Sequence, residues 1–352
     1  MSLRLTILGC HSAAPRSSAH PSAQYLEING EHFLIDCGEG TQMQLRKLKV
    51  KFSRINRVFI SHLHGDHFYG LIGLISTLSL LNRKTELHLH GPKGLKEIIL
   101  LQLKLSKSWV EYPLHFHELE SKSSEIIYES EKIEVRTIPL KHRIYTNGFL
   151  FREKPFPRKL DMESINGNPE VQRCDYQNLK DGKDFVTSKG QVIPNEALTL
   201  DPNRPLAYAY CSDTAYSEQI VQYLSGVDLL YHESTFREKH LEIAEATGHS
   251  TARQAALIAS AAEVGKLILG HYSGRYKDLN LFLEEARQEF RSTELCDIGK
   301  VFELNNEPPQ TIGKHLSSKE YGAALFSVIS FALGHIFLDI AAPITNFSDT
   351  YV

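Results

Sequence analysis

The chain has little cysteine and no arrangement of it that carries chemistry. Cys10, Cys37, Cys174, Cys211 and Cys296 are the five in 352 residues. No two form a C-x-x-C pair and the number is odd, which fits reduced thiols in a cytoplasmic protein rather than a disulfide scaffold. Neither sign of charge is in excess: the net charge is −3 and the pI near 6.6, so the total points to no polyanionic partner. The total conceals an asymmetry, since residues 1–110 hold 14 Lys or Arg against 7 Asp or Glu. A solvated basic face is the usual meaning of such a surplus, and a polyanionic substrate the functional one. The N-terminus lacks a long apolar segment; its alternating residues 1–7 read as a first strand and not as a signal peptide. An uncharged run does occur late, at 321–338, 18 residues interrupted by Ser327, Ser330, Gly334 and His335 and ended by Asp339. It is expected to be a helix buried against the body or a dimer partner, with membrane association as the second reading.

What the chain does have is Ser61-His62-Leu63-His64-Gly65-Asp66-His67, placed between the apolar run Val58-Phe59-Ile60 and a helical segment. A strand alternates its side chains, so His62 and His64 leave its end on one side. The turn through Gly65 then lets Asp66 and His67 double back towards a second point. This is a layout for two metal ions, and imidazole nitrogen with carboxylate oxygen suits zinc in an open site. A surface histidine cluster is the bland alternative.

With 42% hydrophobic residues the chain can bury a large core. Strands are expected at 3–8, 24–28, 32–35, 87–90, 114–118, 126–128 and 133–139, and again at 206–211, 229–231 and 266–269. Helices are expected at 41–47, 70–78, 94–107, 217–224, 250–263 and 279–290, with Ser217 and Ser250 as N-caps. The 70–78 segment is too apolar for a surface helix and should be buried. Strands bracketed by helices in both halves predict an α/β fold of αββα type, two sheets face to face with helices outside. Residues 154–203 cannot be a core element, because Pro155, Pro157, Pro169, Pro194 and Pro202 interrupt them among glycines and charges. They read as a disordered loop or a protruding inserted arm.

Three more donors fit the chemistry. His142, Asp213 and His271 each lie just past the carboxyl end of an expected strand, where loops converge. On this reading His62, His64 and His142 hold one zinc, Asp66, His67 and His271 the other, and Asp213 bridges them. Two zincs roughly 3.5 Å apart can share a hydroxide and stabilise an in-line displacement, so hydrolysis of a phosphodiester or activated ester is expected.

The set of His62, His64, Asp66, His67, His142, Asp213 and His271 resembles the seven-ligand pattern of metallo-β-lactamase phosphodiesterases. Within them the chain is similar to the ribonuclease Z family. Asp36-Cys37-Gly38-Glu39-Gly40-Thr41-Gln42 matches that family's D-C-G-E-G-T-Q, His232-Glu233-Ser234-Thr235 stands where it has H-E-A-T, and His249-Ser250-Thr251 matches H-S-T. The likeness spans residues 1–305, implying a metallo-β-lactamase-fold catalytic domain with 154–203 as its inserted tRNA-binding arm and 306–352 as a tail of unknown role. It implies two Zn2+ per subunit, a homodimer, and removal of the 3′ trailer from precursor tRNA. Asp66 would act as ligand and proton acceptor, His249 as the group meeting the phosphate or protonating the leaving 3′ oxygen, and Glu233 as the holder of its ring. For His249 an ordinary place before a helix capped by Ser250 is the alternative.

Departures from the family pattern are specific. G-L-P-G-L is Gly70-Leu71-Ile72-Gly73-Leu74, the P-x-x-R-N loop is Ala14-Pro15-Arg16-Ser17-Ser18-Ala19-His20, G-D-T is Ser212-Asp213-Thr214, and the arm lacks the Gly-Pro run. The competing functions are a small phosphodiester or ester hydrolase with the same zinc site, and an RNA-binding scaffold with a dead site.

Overall fold

In the computed structural model, which describes residues 2–13 and 19–305, the expected alternation builds two seven-stranded sheets. The Pro15 loop and the uncharged run at 321–338 lie outside the described residues. The first sheet takes Ser2–Gly9 (β1), Ala23–Ile28 (β2), Glu31–Ile35 (β3), Arg57–Phe59 (β4), Leu87–Pro92 (β5) and Leu114–Leu119 (β6). Helices Thr41–Lys47 (α1), Gly65–Phe68 (α2), Leu71–Leu80 (α3) and Leu95–Leu105 (α4) join its parallel part. The second sheet starts with Ile126–Glu129 (β7), Ile133–Pro139 (β8) and Asn147–Glu153 (β9).

The segment after Glu153 is ordered, although it contributes nothing to either sheet. It contains Lys159–Leu160 (β10), Met162–Asn166 (α5), Tyr176–Lys180 (α6), Phe185–Val186 (β11), Val192–Ile193 (β12) and Thr199–Leu200 (β13). Ile165, Val171, Leu179 and Leu198 form a small apolar cluster of its own. Its prolines fall between these short pieces, where no ladder hydrogen bond is lost.

The chain returns to the second sheet with Ala207–Cys211 (β14), then Val221–Leu224 (α7), Leu229–Glu233 (β15), Leu241–Thr247 (α8), Ala252–Ala261 (α9), Lys266–Gly270 (β16), Asn280–Arg287 (α10) and Thr293–Leu295 (β17). Val301–Asn305 (β18) crosses to pair with β1. The sheet orders are β18-β1-β2-β3-β4-β5-β6 and β17-β16-β15-β14-β9-β8-β7.

The two faces of β3 show the layering: Phe33 and Ile35 join the core between the sheets, whereas Leu34 joins Leu71, Leu74, Ile75 and Ile99 beneath α3 and α4. Phe33 and Phe59 meet Phe149 and Phe151 from β9 with ring centroids 5.4 Å apart across the sheets. On the far side α9 buries Ala252, Ala255, Ala256 and Ala259, and α10 buries Phe282 and Ala286. This is the expected αββα sandwich.

Several details differ from the sequence reading. β9 was hidden because Asn147-Gly148 reads as a turn, yet it pairs along its whole length with β8. The N-cap of α9 is Thr251, whose hydroxyl accepts from the Gln254 amide, while Ser250 Oγ donates to the Thr214 carbonyl. Ser217 caps only a 3-10 turn, Glu218–Ile220, and its side chain makes no cap hydrogen bond.

Candidate metal centre

β4 stops at Phe59, and the chain bends at Leu63 and His64 before α2 begins at Gly65. His62 and His64 therefore project from the strand exit and its bend, and Asp66 and His67 from the first turn of a helix. The Asp36 to Gln42 segment is pressed against that turn: the Cys37 amide donates to the His67 carbonyl at 2.7 Å and the Gly70 amide to Cys37 at 2.9 Å. A Cβ on Gly38 would lie 2.4 Å from the Asp66 carbonyl oxygen, so this close approach requires glycine. His142 follows β8, Asp213 follows β14 and His271 follows β16, the last with φ of 60°.

All seven expected donors converge. Nε2 of His62 is 3.0 Å from Nδ1 of His64, which is 3.4 Å from Nε2 of His142. Asp213 Oδ2 faces this group, 3.5 Å from His62 Nε2 and 3.9 Å from His142 Nε2. Its other oxygen, Oδ1, faces a second group, 3.3 Å from His67 Nε2 and 3.1 Å from His271 Nε2. Asp66 Oδ2 is 3.4 Å from both of those nitrogens. With zinc–nitrogen bonds of about 2.0–2.1 Å, the edge of a tetrahedron of ligands is roughly 3.3 Å, and these separations are such edges.

Two further observations fit a cation. Nε2 of His67 is buried and has no hydrogen-bond partner. Among the described residues the ion pairs that Asp66 and Asp213 make are all to histidines, so two carboxylates share the centre with no Lys or Arg paired to either. Burial lowers the pKa of His62, His64 and His142, leaving neutral rings with lone pairs. Burial opposes ionisation of Asp66 and Asp213, but the surrounding imidazoles hold both carboxyls well below the ordinary range.

The ring nitrogens pointing away from the centre are tied down, which assigns the tautomers. His67 Nδ1 donates to Asp36 Oδ2 at 2.7 Å, His142 Nδ1 to the Gly248 carbonyl at 2.7 Å, and His271 Nδ1 to Thr235 Oγ1 at 2.8 Å. Ser61 Oγ donates to Asp36 Oδ2 at 2.9 Å and so accepts from His62 Nδ1 at 3.0 Å. In His62, His142 and His271 the lone pair on Nε2 is left for the centre, whereas in buried His67 the Asp213 and Asp36 carboxylates raise the pKa well above its ordinary value, so that a cation bound there would replace the Nε2 proton. Sequence reasoning gave no role to Ser61, and Asp36 and Thr235 entered it only as parts of matched segments. The contacts from Asp36 to His67 and from Thr235 to His271 join residues 31 and 36 positions apart, so only those segment identities could have signalled them.

His249 lies beside this centre, with ring centroids 5.1 Å from His142 and 5.5 Å from His271. It sits between α8 and α9 rather than on a helix, and its Nδ1 donates to Glu233 Oε1 at 2.8 Å. Burial would lower its pKa, but the Glu233 carboxylate outweighs this and raises it to about 9. Glu233, fully buried, also accepts from the Thr214 and Thr235 amides at 3.0 and 2.9 Å and from Thr235 Oγ1 at 2.7 Å. The arrangement presents a protonated imidazole next to two potential cation sites.

A family profile described as "Anti-Pycsar protein Apyc1" matches residues 3–158, a span that ends before Asp213, His249 and His271. Curated relatives match more of the chain. It is 47% identical over 292 residues to a ribonuclease Z of Bacteroides fragilis, covering 83% of this chain and 96% of that one. A ribonuclease Z of Cytophaga hutchinsonii is 46% identical over 311 residues, 87% and 97% of the two chains. The crystal structure of human tRNase Z, short form, superposes with a TM-score of 0.63 at 26% identity, covering 86% of this chain and 99% of that one. The metallo-β-lactamase fold protein YhfI of Bacillus subtilis, at 17% identity and a TM-score of 0.60, shares the fold.

Proposed function

The chain belongs to the ribonuclease Z family of metal-dependent endoribonucleases, and on that premise we propose that it hydrolyses the phosphodiester 3′ of the discriminator base in precursor tRNA, removing the 3′ trailer. The hydrolytic part of this reading is carried by the divided carboxylate of Asp213, Oδ2 towards one histidine group and Oδ1 towards the other, and the substrate by the ribonuclease Z relatives that the chain matches over nearly their whole length. Single-metal chemistry has no use for a buried carboxylate shared in that way.

Two zinc ions per subunit fit the donors: His62, His64 and His142 would hold one, Asp66, His67 and His271 the other, and Asp213 would serve both. When bound, they polarise the phosphate oxygens and lower the pKa of water. Asp66 orients the attacking water and accepts its proton. His249, cationic at neutral pH, meets the phosphate and gives its proton to the departing 3′ oxygen. Glu233 holds the His249 ring in that position and keeps it charged.

Residues 1–305 form the catalytic domain, and 154–203 its substrate-binding arm, which holds tRNA by contacts other than a Gly-Pro run. The arm carries exposed apolar side chains at Met162, Val186, Val192 and Leu200. The protein works as a cytoplasmic homodimer. Among the described residues no helix is long and apolar enough to cross a membrane. The small-diester alternative is not favoured by these relatives.

The test is incubation with a precursor tRNA carrying a 3′ trailer, with and without chelator. Cleavage just after the discriminator base, abolished by the chelator and restored by zinc, is expected. Hydrolysis of a small diester without tRNA cleavage would overturn the reading.

A further inference from the structure

A second cluster of histidines stands at the other end of the first sheet and takes no part in the centre described above. On and just before β5, Glu86, His88 and His90 alternate with Leu87 and Leu89. The leucines are buried in the cluster under α3 and α4, so the glutamate and histidines occupy the opposite face. β6 runs parallel, with His115 opposite His88 and His117 opposite His90. The rings stack, with centroids 4.8 Å apart for His88–His115 and 4.3 Å for His90–His117.

Glu86 closes one end of this array. Its Oε1 is 3.2 Å from His88 Nε2 and its Oε2 3.6 Å from His115 Nε2. One donor atom from each of the three residues lies within 4.8 Å of the other two. The other nitrogen of His88, Nδ1, is 2.9 Å from Nε2 of His117, a contact that fixes the ring. His88 Nε2 is shielded from water and, despite its nearness to Glu86, is not aligned for a hydrogen bond. Burial lowers the pKa of His88 against the opposing pull of Glu86, so the ring is neutral at pH 7 and offers a lone pair. Solvent reaches the cluster from one side, since Glu86 is 58% and His115 47% exposed.

Two imidazole nitrogens and a carboxylate oxygen around one open point form a metal-binding set with room for water ligands. We infer that Glu86, His88 and His115 bind one divalent transition-metal cation of the zinc or nickel class, at a site separate from the catalytic centre. His88 pairs with Arg57 on β4, five residues before His62, which puts the two sites roughly 15 Å apart along the strand direction. The inference does not depend on the tRNA reading.

The experiment uses the untagged full chain, first stripped of metal, given two equivalents of zinc to fill the catalytic centre and desalted, then titrated with Ni2+ and followed by calorimetry and by elemental analysis of the washed protein. The wild type is expected to take up one further equivalent. Glu86→Gln and His115→Asn, both at exposed side chains that leave the fold intact, should each weaken that uptake at least tenfold. His88→Asn with His115→Asn should abolish it, and cleavage of precursor tRNA should stay within twofold of wild type in all of them. Equal uptake by wild type and variants, or no uptake by the wild type, would show a plain imidazole ladder and overturn the site.

Discussion

Nδ1 of His67 lies 2.7 Å from Oδ2 of Asp36, and both side chains are fully buried. Asp36 also accepts from the Ser61 amide at 2.8 Å, from Ser61 Oγ at 2.9 Å and from the Tyr210 hydroxyl at 2.6 Å. Four donors thus meet one carboxylate, and the result is a ring whose Nε2 can only face the candidate centre. Such outer partners fix ligand orientation and raise its basicity.

Asp36→Asn should therefore weaken metal binding without removing a ligand. The amide must present a donor where only donors meet it, at a cost of about 1–3 kcal/mol in stability. Metal affinity is expected to fall roughly 10–100-fold. Competition against a chromogenic chelator reads the affinity, and a thermal melt reads the stability. Unchanged affinity would show that Asp36 serves packing alone.

Asp213 gives a sharper contrast, because its two oxygens face two different groups. Asp213→Ala should lower the metal content of the purified protein and abolish hydrolysis of both precursor tRNA and bis(p-nitrophenyl) phosphate. Asp213→Asn keeps one acceptor oxygen and should retain about one ion. Elemental analysis beside turnover separates the cases; two ions retained by the alanine variant would end the bridging role.

The donors of this centre were legible because four of them share one stretch of six residues, His62 to His67, and the other three each follow a strand marked by an apolar run. The groups that aim them were not. Asp36 and Tyr210 are 174 positions apart, Thr235 and His271 36, and nothing local in either pair records the contact. β9 was missed because Asn147-Gly148 at its start carries a turn signature, although the Phe149-Leu150-Phe151 run that follows supplies much of the aromatic contact between the sheets. α8 was missed too, although Gly248 at φ of 72° closes it and a glycine at that place is a readable stop. The histidines on β5 and β6 gain meaning only from the register that pairs His88 with His115.

His249→Ala should lower precursor-tRNA turnover roughly 10²-fold or more if the imidazole is a general acid, with both ions still bound. Glu233→Gln acts through His249. It removes the charge that raises the His249 pKa to about 9, and it leaves an amide facing the Thr214 and Thr235 backbone donors. Its turnover should fall less than that of the alanine variant, and the chemical shift of the His249 ring should titrate at lower pH than in the wild type. Full turnover of His249→Ala with metal content intact would remove it from the chemistry.

The segment between Glu153 and Leu206 leaves and re-enters the fold at adjacent strands. The Glu153 amide donates to the Leu206 carbonyl at 2.9 Å, and the Leu206 amide to Glu153 Oε2 at 2.9 Å, just where β9 and β14 pair antiparallel. Those ends are close enough to be joined by a short loop, so residues 155–200 can be deleted, with Lys154 and residues 201–205 closing the connection, without disturbing either sheet. The segment also keeps its own apolar cluster of Ile165, Val171, Leu179 and Leu198, so removing it opens no cavity in the main core. If it grips tRNA, the shortened protein should lose most precursor-tRNA cleavage through a raised KM while hydrolysing bis(p-nitrophenyl) phosphate at the wild-type rate. A protein that melts at the wild-type temperature and loses both activities equally would mean that the segment shapes the metal centre instead, and the arm would then have to be read as part of the catalytic fold.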